Sequence, residues 1–287
     1  MQNIPLTAVL LLSCADRQAL VADYSNWIAS HGGNILSLNE HVDTEHGLFF
    51  LRVAWDMKDF IIQPKYLAKA FEPMARKHDA RWQIKFLEEK ERMAIFVSKY
   101  DHCLRDILWR HSMDEFIMEV PIIISNHPDM LPVAERYGIP YFEYNFNKKS
   151  KADIEQEQLE LLREHRIDSI ILARYMQILS SDFVSHYPNR IINIHHSFLP
   201  AFAGSNPYRQ AYDKGVKIIG ATSHYVTEDL DEGPIIEQGI TRISHKDTVP
   251  DLIRKGRDLE RLVLATAIRY HSEHRILVHG RKTVIFD

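Results

Sequence analysis

Asn193 and His195 stand two residues apart in the segment RIINIHHSFLP, Arg190 to Pro200, directly after an apolar run. In a strand, alternate side chains share a face, so this amide and this imidazole point one way while Ile192, Ile194 and His196 point the other. An amide and an imidazole at the carboxyl end of a buried strand occupy the position at which open parallel sheets bind their ligands. Downstream, HYVTEDLDEGPIIEQ sets Glu228, Asp229, Asp231 and Glu232 beside a glycine turn, just before another apolar strand. Any of the four carboxylates is able to complete the group, and spacing alone does not choose among them. Without more context, a hydrogen-bonded core histidine beside a solvated acidic turn is the commoner arrangement.

The elements that must position these residues follow a regular alternation. From Met93 onward apolar strands (MAIFVS, PIIISN, PYFEYN, SIILAR) are separated by helical stretches (HCLRDILWRH, PDMLPVAERYG, DIEQEQLELLREHR). This implies an α/β, Rossmann-like unit with a mostly parallel central sheet covered on both faces. The later strands are RIINIHH, KIIGATSHYV and PIIEQGITRI, followed by a long helix from Thr248 toward His271. Between Ala8 and Leu87 the order is strand, helix, strand, strand, helix, strand, a ferredoxin-like βαββαβ unit. Gly32 and Gly33 close its first helix, and DTEHG supplies a hairpin turn before Leu48. The charged run Glu88 to Arg92 separates the two units, giving domains over 1–88 and 89–287.

Composition narrows the function classes. With 287 residues, 45% of them hydrophobic and 26% charged, the chain is long enough for two globular domains. A net charge of -4 leaves no basic footprint for nucleic acid. The two cysteines, Cys14 and Cys103, are too few and too dispersed for a disulfide framework or thiolate metal site, which suits a reducing cytoplasm. No apolar run reaches the length of a membrane span, and AVLLLS is more simply a buried strand. The sixteen histidines show no metal-binding spacing, and two neighbours on opposite strand faces make a poor chelate, so no metal is expected.

NIHHSFLPAF followed about thirty residues later by HYVTEDLDEGPIIEQ resembles the enzymes that handle the formyl group of 10-formyltetrahydrofolate. The resemblance implies a catalytic set of Asn193, His195 and Asp231, with no cofactor beyond the folate substrate. Asn193 and a protonated His195 would hold the tetrahedral oxyanion, and Asp231 would serve the proton transfers. It also implies that LARYMQIL carries the pterin site at Met176, Gln177, Ile178 and Leu179. From the residues alone, YMQIL is a helix face or core stripe.

The acceptor divides this family. Glycinamide ribonucleotide transformylases, to which the domain is similar, hold the acceptor phosphate on a Gly- and Ser-rich loop after the first strand. Here that stretch is FVSKYDHCLRDIL, without glycine, although Lys99 or Arg105 is able to meet an anion through its side chain. Water is then the simplest nucleophile, with transfer to an amine as the alternative. The N-terminal unit resembles an ACT regulatory domain, and ACT followed by a formyltransferase-like domain is the arrangement of the formyltetrahydrofolate deformylases. The doubled histidine also resembles deformylases, since transformylases tend to have proline after the catalytic histidine. The resemblance implies formate supply for purine synthesis, balance of one-carbon folate pools, a homo-oligomer, and an amino-acid effector such as glycine or methionine. Two departures stand out. Ser205 and Asn206 in AGSNPY replace a small residue and a lysine, and Ala19 occupies a first βα turn where effector-binding ACT domains commonly have glycine.

Overall fold

A computed structural model of the chain describes residues 6–200 and 207–287. Ser205 and Asn206, the departure noted above, lie outside the described residues. The chain divides into two compact units. One runs up to Lys90 and includes Glu273–His279 and Val284–Asp287; the other is Glu91–Ser272 with Gly280–Thr283.

The first unit contains β1 (Thr7–Ala15), α1 (Leu20–Ser30), β2 (Asn34–Asp43), β3 (Leu48–Asp56), α2 (Pro64–Lys77) and β4 (Arg81–Phe86). Its antiparallel sheet has the order β2-β3-β1-β4, the ferredoxin-like arrangement expected from the element sequence. The central strands β1 and β3 are apolar almost throughout because both of their faces are covered, whereas edge strand β4 alternates exposed and half-buried residues. Leu20, Tyr24 and Ile28 on α1, and Leu67, Phe71 and Ala75 on α2, recur every four residues and form the buried stripes that meet the sheet. Ala19 adopts a left-handed backbone, φ +68°, despite its Cβ. The turn therefore keeps the geometry that glycine would favour, at a cost of about 1 kcal/mol.

The second unit contains β5 (Glu91–Val97), α3 (His102–Ser112), β6 (Met118–Glu119), β7 (Ile123–Ser125), α4 (Leu131–Arg136), β8 (Tyr141–Glu143), α5 (Lys151–Glu164), β9 (Ser169–Ala173), α6 (Ser181–Ser185) and β10 (Ile191–His195). It continues through α7 (Pro207–Lys214), β11 (Ile218–Tyr225), β12 (Ile235–Arg242) and α8 (Val249–Ser272). The sheet order is β12-β11-β10-β9-β5-β7-β8, with β6 pairing to β5. Strands β8, β7, β5, β9 and β10 are parallel neighbours, and β11 and β12 continue the sheet antiparallel. Because the chain leaves β5 toward β7 on one side and returns as β9 on the other, the sheet has its switch point at the carboxyl end of β5. Thr248 begins α8 as a cap: its backbone N–H and hydroxyl both donate to the Asp251 carboxylate, at 3.0 and 2.7 Å.

The assignment of all of 89–287 to one domain needs correction. After α8 the chain forms β13 (Ile276–His279) and β14 (Lys282–Ile285), and most of this tail groups with the first unit. The cause is an apolar face on the first sheet, where Leu11 and Phe50 are covered by Phe286, Leu277 and Val284. Burying Phe286 there contributes on the order of 2 kcal/mol. Arg52, itself buried, donates to the carbonyls of Glu273 (3.1 Å) and His274 (2.9 Å) and fixes the start of the return.

Candidate active site

The geometry starts from the register of β10 on β11. Asn193 pairs with His224 and His195 with Thr222. Directly opposed residues of an antiparallel pair send their side chains to the same face, so the strand that carries the amide and imidazole also brings a second imidazole beside them. Nδ1 of His224 lies 2.9 Å from the Tyr225 carbonyl, which only accepts, so this nitrogen carries the proton. In the neutral ring Nε2 is then an acceptor, and the Asn193 amide donates to it at 3.2 Å. One amide N–H of Asn193 is thereby used and its orientation set, leaving the second N–H for a ligand.

Of the four acidic candidates, Asp231 is the one that the structure brings to the histidines. Its carboxylate lies 3.3 Å from His195 Nδ1 and 3.6 Å from His224 Nε2. The loop from β11 to β12 delivers it through two backbone devices. Asp231 has a left-handed φ of +56°, and a Cβ at Gly233 would stand 1.8 Å from the Tyr225 carbonyl oxygen, so only glycine permits that approach. The hydrogen bond from His195 holds the Asp231 carboxyl well below the usual carboxylate range, against the opposing effect of its partial burial. It is an anion at any working pH. His195 donates from Nδ1 to it, and its Nε2 is buried without a hydrogen-bond partner among the described residues. That nitrogen is the group left to meet a substrate.

Strand alternation misplaces His196. β10 ends at His195, so the alternation stops there, and the two rings lie nearly parallel with centroids 5.2 Å apart instead of on opposite faces. The segment that follows is held by Thr222, which donates to the Ser197 carbonyl (2.9 Å) and accepts from the Leu199 N–H (3.1 Å).

Met176, Gln177, Ile178 and Leu179 form neither a helix face nor a core stripe. They belong to the loop after β9, the parallel neighbour of β10, so this loop and the one after His195 leave the same end of adjacent strands. Met176 and Ile178 are exposed, as is Leu230 next to Asp231, while Leu179 packs on the core. Ser98, buried at the end of β5, accepts from the Met176 N–H at 2.9 Å and donates to the Asn126 side chain at 2.6 Å. It ties together the ends of β5, β7 and β9 at the switch point. Neither His224 nor Ser98 is singled out by the sequence pattern. The signal available for His224 was that KIIGATSHYV sets Thr222 and His224 on one face, as NIH sets Asn193 and His195; the missing information was the register.

The family model for formyl transferases matches residues 91–268, the span that contains every one of these side chains. A formyltetrahydrofolate deformylase of Synechocystis sp. is 51% identical over 286 residues, covering 100% of both chains. That of Bacillus subtilis is 48% identical over 279 residues, 97% of this chain and 93% of its own. The chain belongs to the formyltetrahydrofolate deformylase family. A crystal structure of the deformylase from Pseudomonas syringae pv. tomato has a TM-score of 0.96 at 42% identity and covers 100% of this chain and 96% of its own. Glycinamide ribonucleotide transformylase 1 from Symbiobacterium toebii matches with a TM-score of 0.67 at 33% identity. It covers 70% of this chain with 97% of its own, so the remainder of the deformylase-family chain has almost no transformylase counterpart.

For a deformylase-family chain the loop after β5 is informative. Arg105, one of its two candidate anion ligands, donates instead to Asp101 at 2.6 Å, and Lys99 is exposed. At the start of α3, His102 and Cys103 stand with Glu260 of α8 so that their ligand-type atoms lie within 4.8 Å of one another, a grouping that no sequence spacing announced. The Glu260 carboxylate is already engaged by His102, Tyr208 and Arg174, and burial pushes the Cys103 thiol well up, away from the thiolate that metals prefer. No helix among the described residues is long and apolar enough to cross a membrane.

Proposed function

We propose that the chain hydrolyses 10-formyltetrahydrofolate to formate and tetrahydrofolate, with Asn193, His195 and Asp231 as the catalytic residues. The observation that carries the assignment of roles is the Asp231 carboxylate 3.3 Å from His195 Nδ1, which anchors one side of the ring and leaves the buried Nε2, without a partner among the described residues, for the substrate. Water adds to the formyl carbon, forming a C–O bond and a tetrahedral oxyanion. His195 Nε2–H and the second N–H of Asn193 stabilise that charge. Asp231 orients the water and relays its proton, rather than storing it, because a carboxylate of such low basicity is a poor resting place for a proton. Collapse breaks the bond between carbon and N10, the departing amine takes up the proton, and formate leaves. The exposed Met176 and Ile178, with Gln177 and Leu179, bind the pterin ring through apolar contact and backbone groups. His224 orients Asn193 and does not itself touch the reacting atoms.

The experiment is formate release from 10-formyltetrahydrofolate with no amine present. Turnover that appears only when an amine acceptor is added would replace hydrolysis by transfer.

The N-terminal unit is an ACT domain in this proposal, serving association into a homo-oligomer and binding of an amino-acid effector such as glycine or methionine. Its support is the β2-β3-β1-β4 order and the left-handed first turn at Ala19. Calorimetry with both amino acids tests the effector, and a flat titration for each leaves association alone. The buried, free Cys14 and Cys103 and the charge of -4 fit a cytoplasmic protein without a nucleic-acid partner.

A further inference from the structure

Glu260 is the most deeply buried carboxylate near the site, 1% exposed, in the middle of α8. His102 Nε2 and the Tyr208 hydroxyl each donate to it at 2.7 Å, on its two different oxygens, and the Arg174 guanidinium lies at 3.4 Å. The three partners come from α3, α7 and the end of β9, so a single anion joins four elements of the unit. A buried carboxylate without donors would be strongly destabilising; this one has a neutralising cation and two hydrogen bonds.

The assembly is shaped as well as charged. Gly256, one turn before Glu260 on α8, is a costly residue in a helix interior. Its reason is Tyr208, since a Cβ at Gly256 would meet the Tyr208 hydroxyl at 2.0 Å. The phenol therefore lies in a notch cut for it, with its oxygen on the carboxylate. From there the contact runs to the catalytic strand. The Tyr208 and His196 rings have centroids 6.1 Å apart, and the His196 ring in turn lies nearly parallel to His195 at 5.2 Å. Apart from Asp231 at Nδ1, this stack is the ring contact that His195 makes among the described residues.

We propose that Glu260, with His102, Arg174 and Tyr208, is a positioning assembly that seats His196 against the ring of His195 and thereby sets the direction of the catalytic Nε2. The proposal rests on His195 being the catalytic imidazole. Burial, and then the Arg174 guanidinium, pull the His196 imidazole down to about 4, so the supporting ring is neutral and does not oppose a proton on His195. The doubled histidine is in this account a catalytic ring backed by a neutral one, and burial together with the Arg174 guanidinium keeps the second ring neutral against the opposing charge of Glu260.

The test compares Tyr208→Phe, Glu260→Gln, His196→Ala and His196→Phe in the full chain, with kcat and KM for 10-formyltetrahydrofolate measured separately and folding checked by circular dichroism. Tyr208→Phe keeps the ring in its notch and deletes one hydrogen bond, so it is expected to fold even if Glu260→Gln does not. Misdirection of one reacting group costs on the order of ten- to a hundred-fold in rate, so Tyr208→Phe and His196→Ala should lose at least about ten-fold in kcat with KM changed less than about three-fold. His196→Phe restores a flat neutral ring and should recover most of what His196→Ala loses, a rescue that loss of stability alone does not produce. The proposal is overturned if folded Tyr208→Phe and His196→Ala keep kcat within two-fold of the parent chain, or if His196→Phe is as impaired as His196→Ala. His195→Ala separates the premise: if it retains turnover, the catalytic assignment itself is wrong, whereas a dead His195→Ala beside an unaffected Tyr208→Phe removes only the positioning role.

Discussion

His224 faces Asn193 across the ladder between β10 and β11, its Nε2 3.2 Å from the amide nitrogen and 3.6 Å from the Asp231 carboxylate. That imidazole orients the amide by accepting one of its N–H groups. In His224→Ala the Asn193 amide loses this acceptor, so its second N–H is no longer held for the oxyanion. Turnover at neutral pH should fall by about ten-fold, the equivalent of about 1.4 kcal/mol. Formate release within two-fold of the parent chain's would show that His224 does not set the amide.

Asp231→Asn keeps the shape of the side chain and removes its charge. Turnover should drop by roughly a hundred- to ten-thousand-fold, the span of acid–base groups, while the dissociation constant for the folate changes little. Stopped-flow or equilibrium binding beside formate assay makes the comparison, and near-normal turnover would exclude a role in proton transfer.

Met176→Ala combined with Ile178→Ala trims two exposed apolar side chains from the loop after β9. Each loses on the order of 1 kcal/mol of apolar contact with a bound ring, so KM should rise by at least about ten-fold in the pair. Formate release at saturating substrate should stay close to that of the parent chain. A fall in kcat without a change in KM would move the ring to another surface.

The neutral His196 makes stability depend on pH in a known direction. Its folded value of about 4 lies below the ordinary 6.5, so between these values the unfolded chain binds the extra proton and the folded one does not. This contribution is fully present above pH 6.5 and is lost as pH falls toward 4. Urea unfolding of the parent chain and of His196→Phe at pH 7 and pH 5 should show a smaller loss in the variant. Equal losses would mean that the ring takes up its proton in the folded state.

The alternation of apolar and polar residues made both units legible, down to strands such as MAIFVS and SIILAR and the 24-residue helix that ends at Ser272. Asn193, His195 and Asp231 were legible as residue types, but the choice of Asp231 over Glu228, Asp229 and Glu232 came through family likeness. The physical reason for that choice is a left-handed residue and a forced glycine at the β11–β12 turn, neither of which periodicity encodes. His224 and Ser98 escaped because their partners lie on other strands, and register is a long-range property. The orientation of His196 escaped for a local reason: the two-residue period holds only as far as the strand does, and β10 stops one residue short of it. The charged run at residues 88–92 proved to be partly strand, since Glu91 and Arg92 already belong to β5.

The packing of Phe286 and Leu277 on Leu11 and Phe50 has a consequence for the order in which the chain acquires its structure. On the ribosome the first unit emerges with one face of its sheet bare, and the apolar cover for that face is translated only after residues 91–272. Of the two units, the one begun earlier is completed later. Nearly all of the second unit, with the strand that carries Asn193 and His195, is synthesised while the earlier sheet still presents Leu11 and Phe50 to solvent. A shortened chain that stops after Ser272 would keep every candidate catalytic residue yet leave that face exposed for good, a surface prone to self-association.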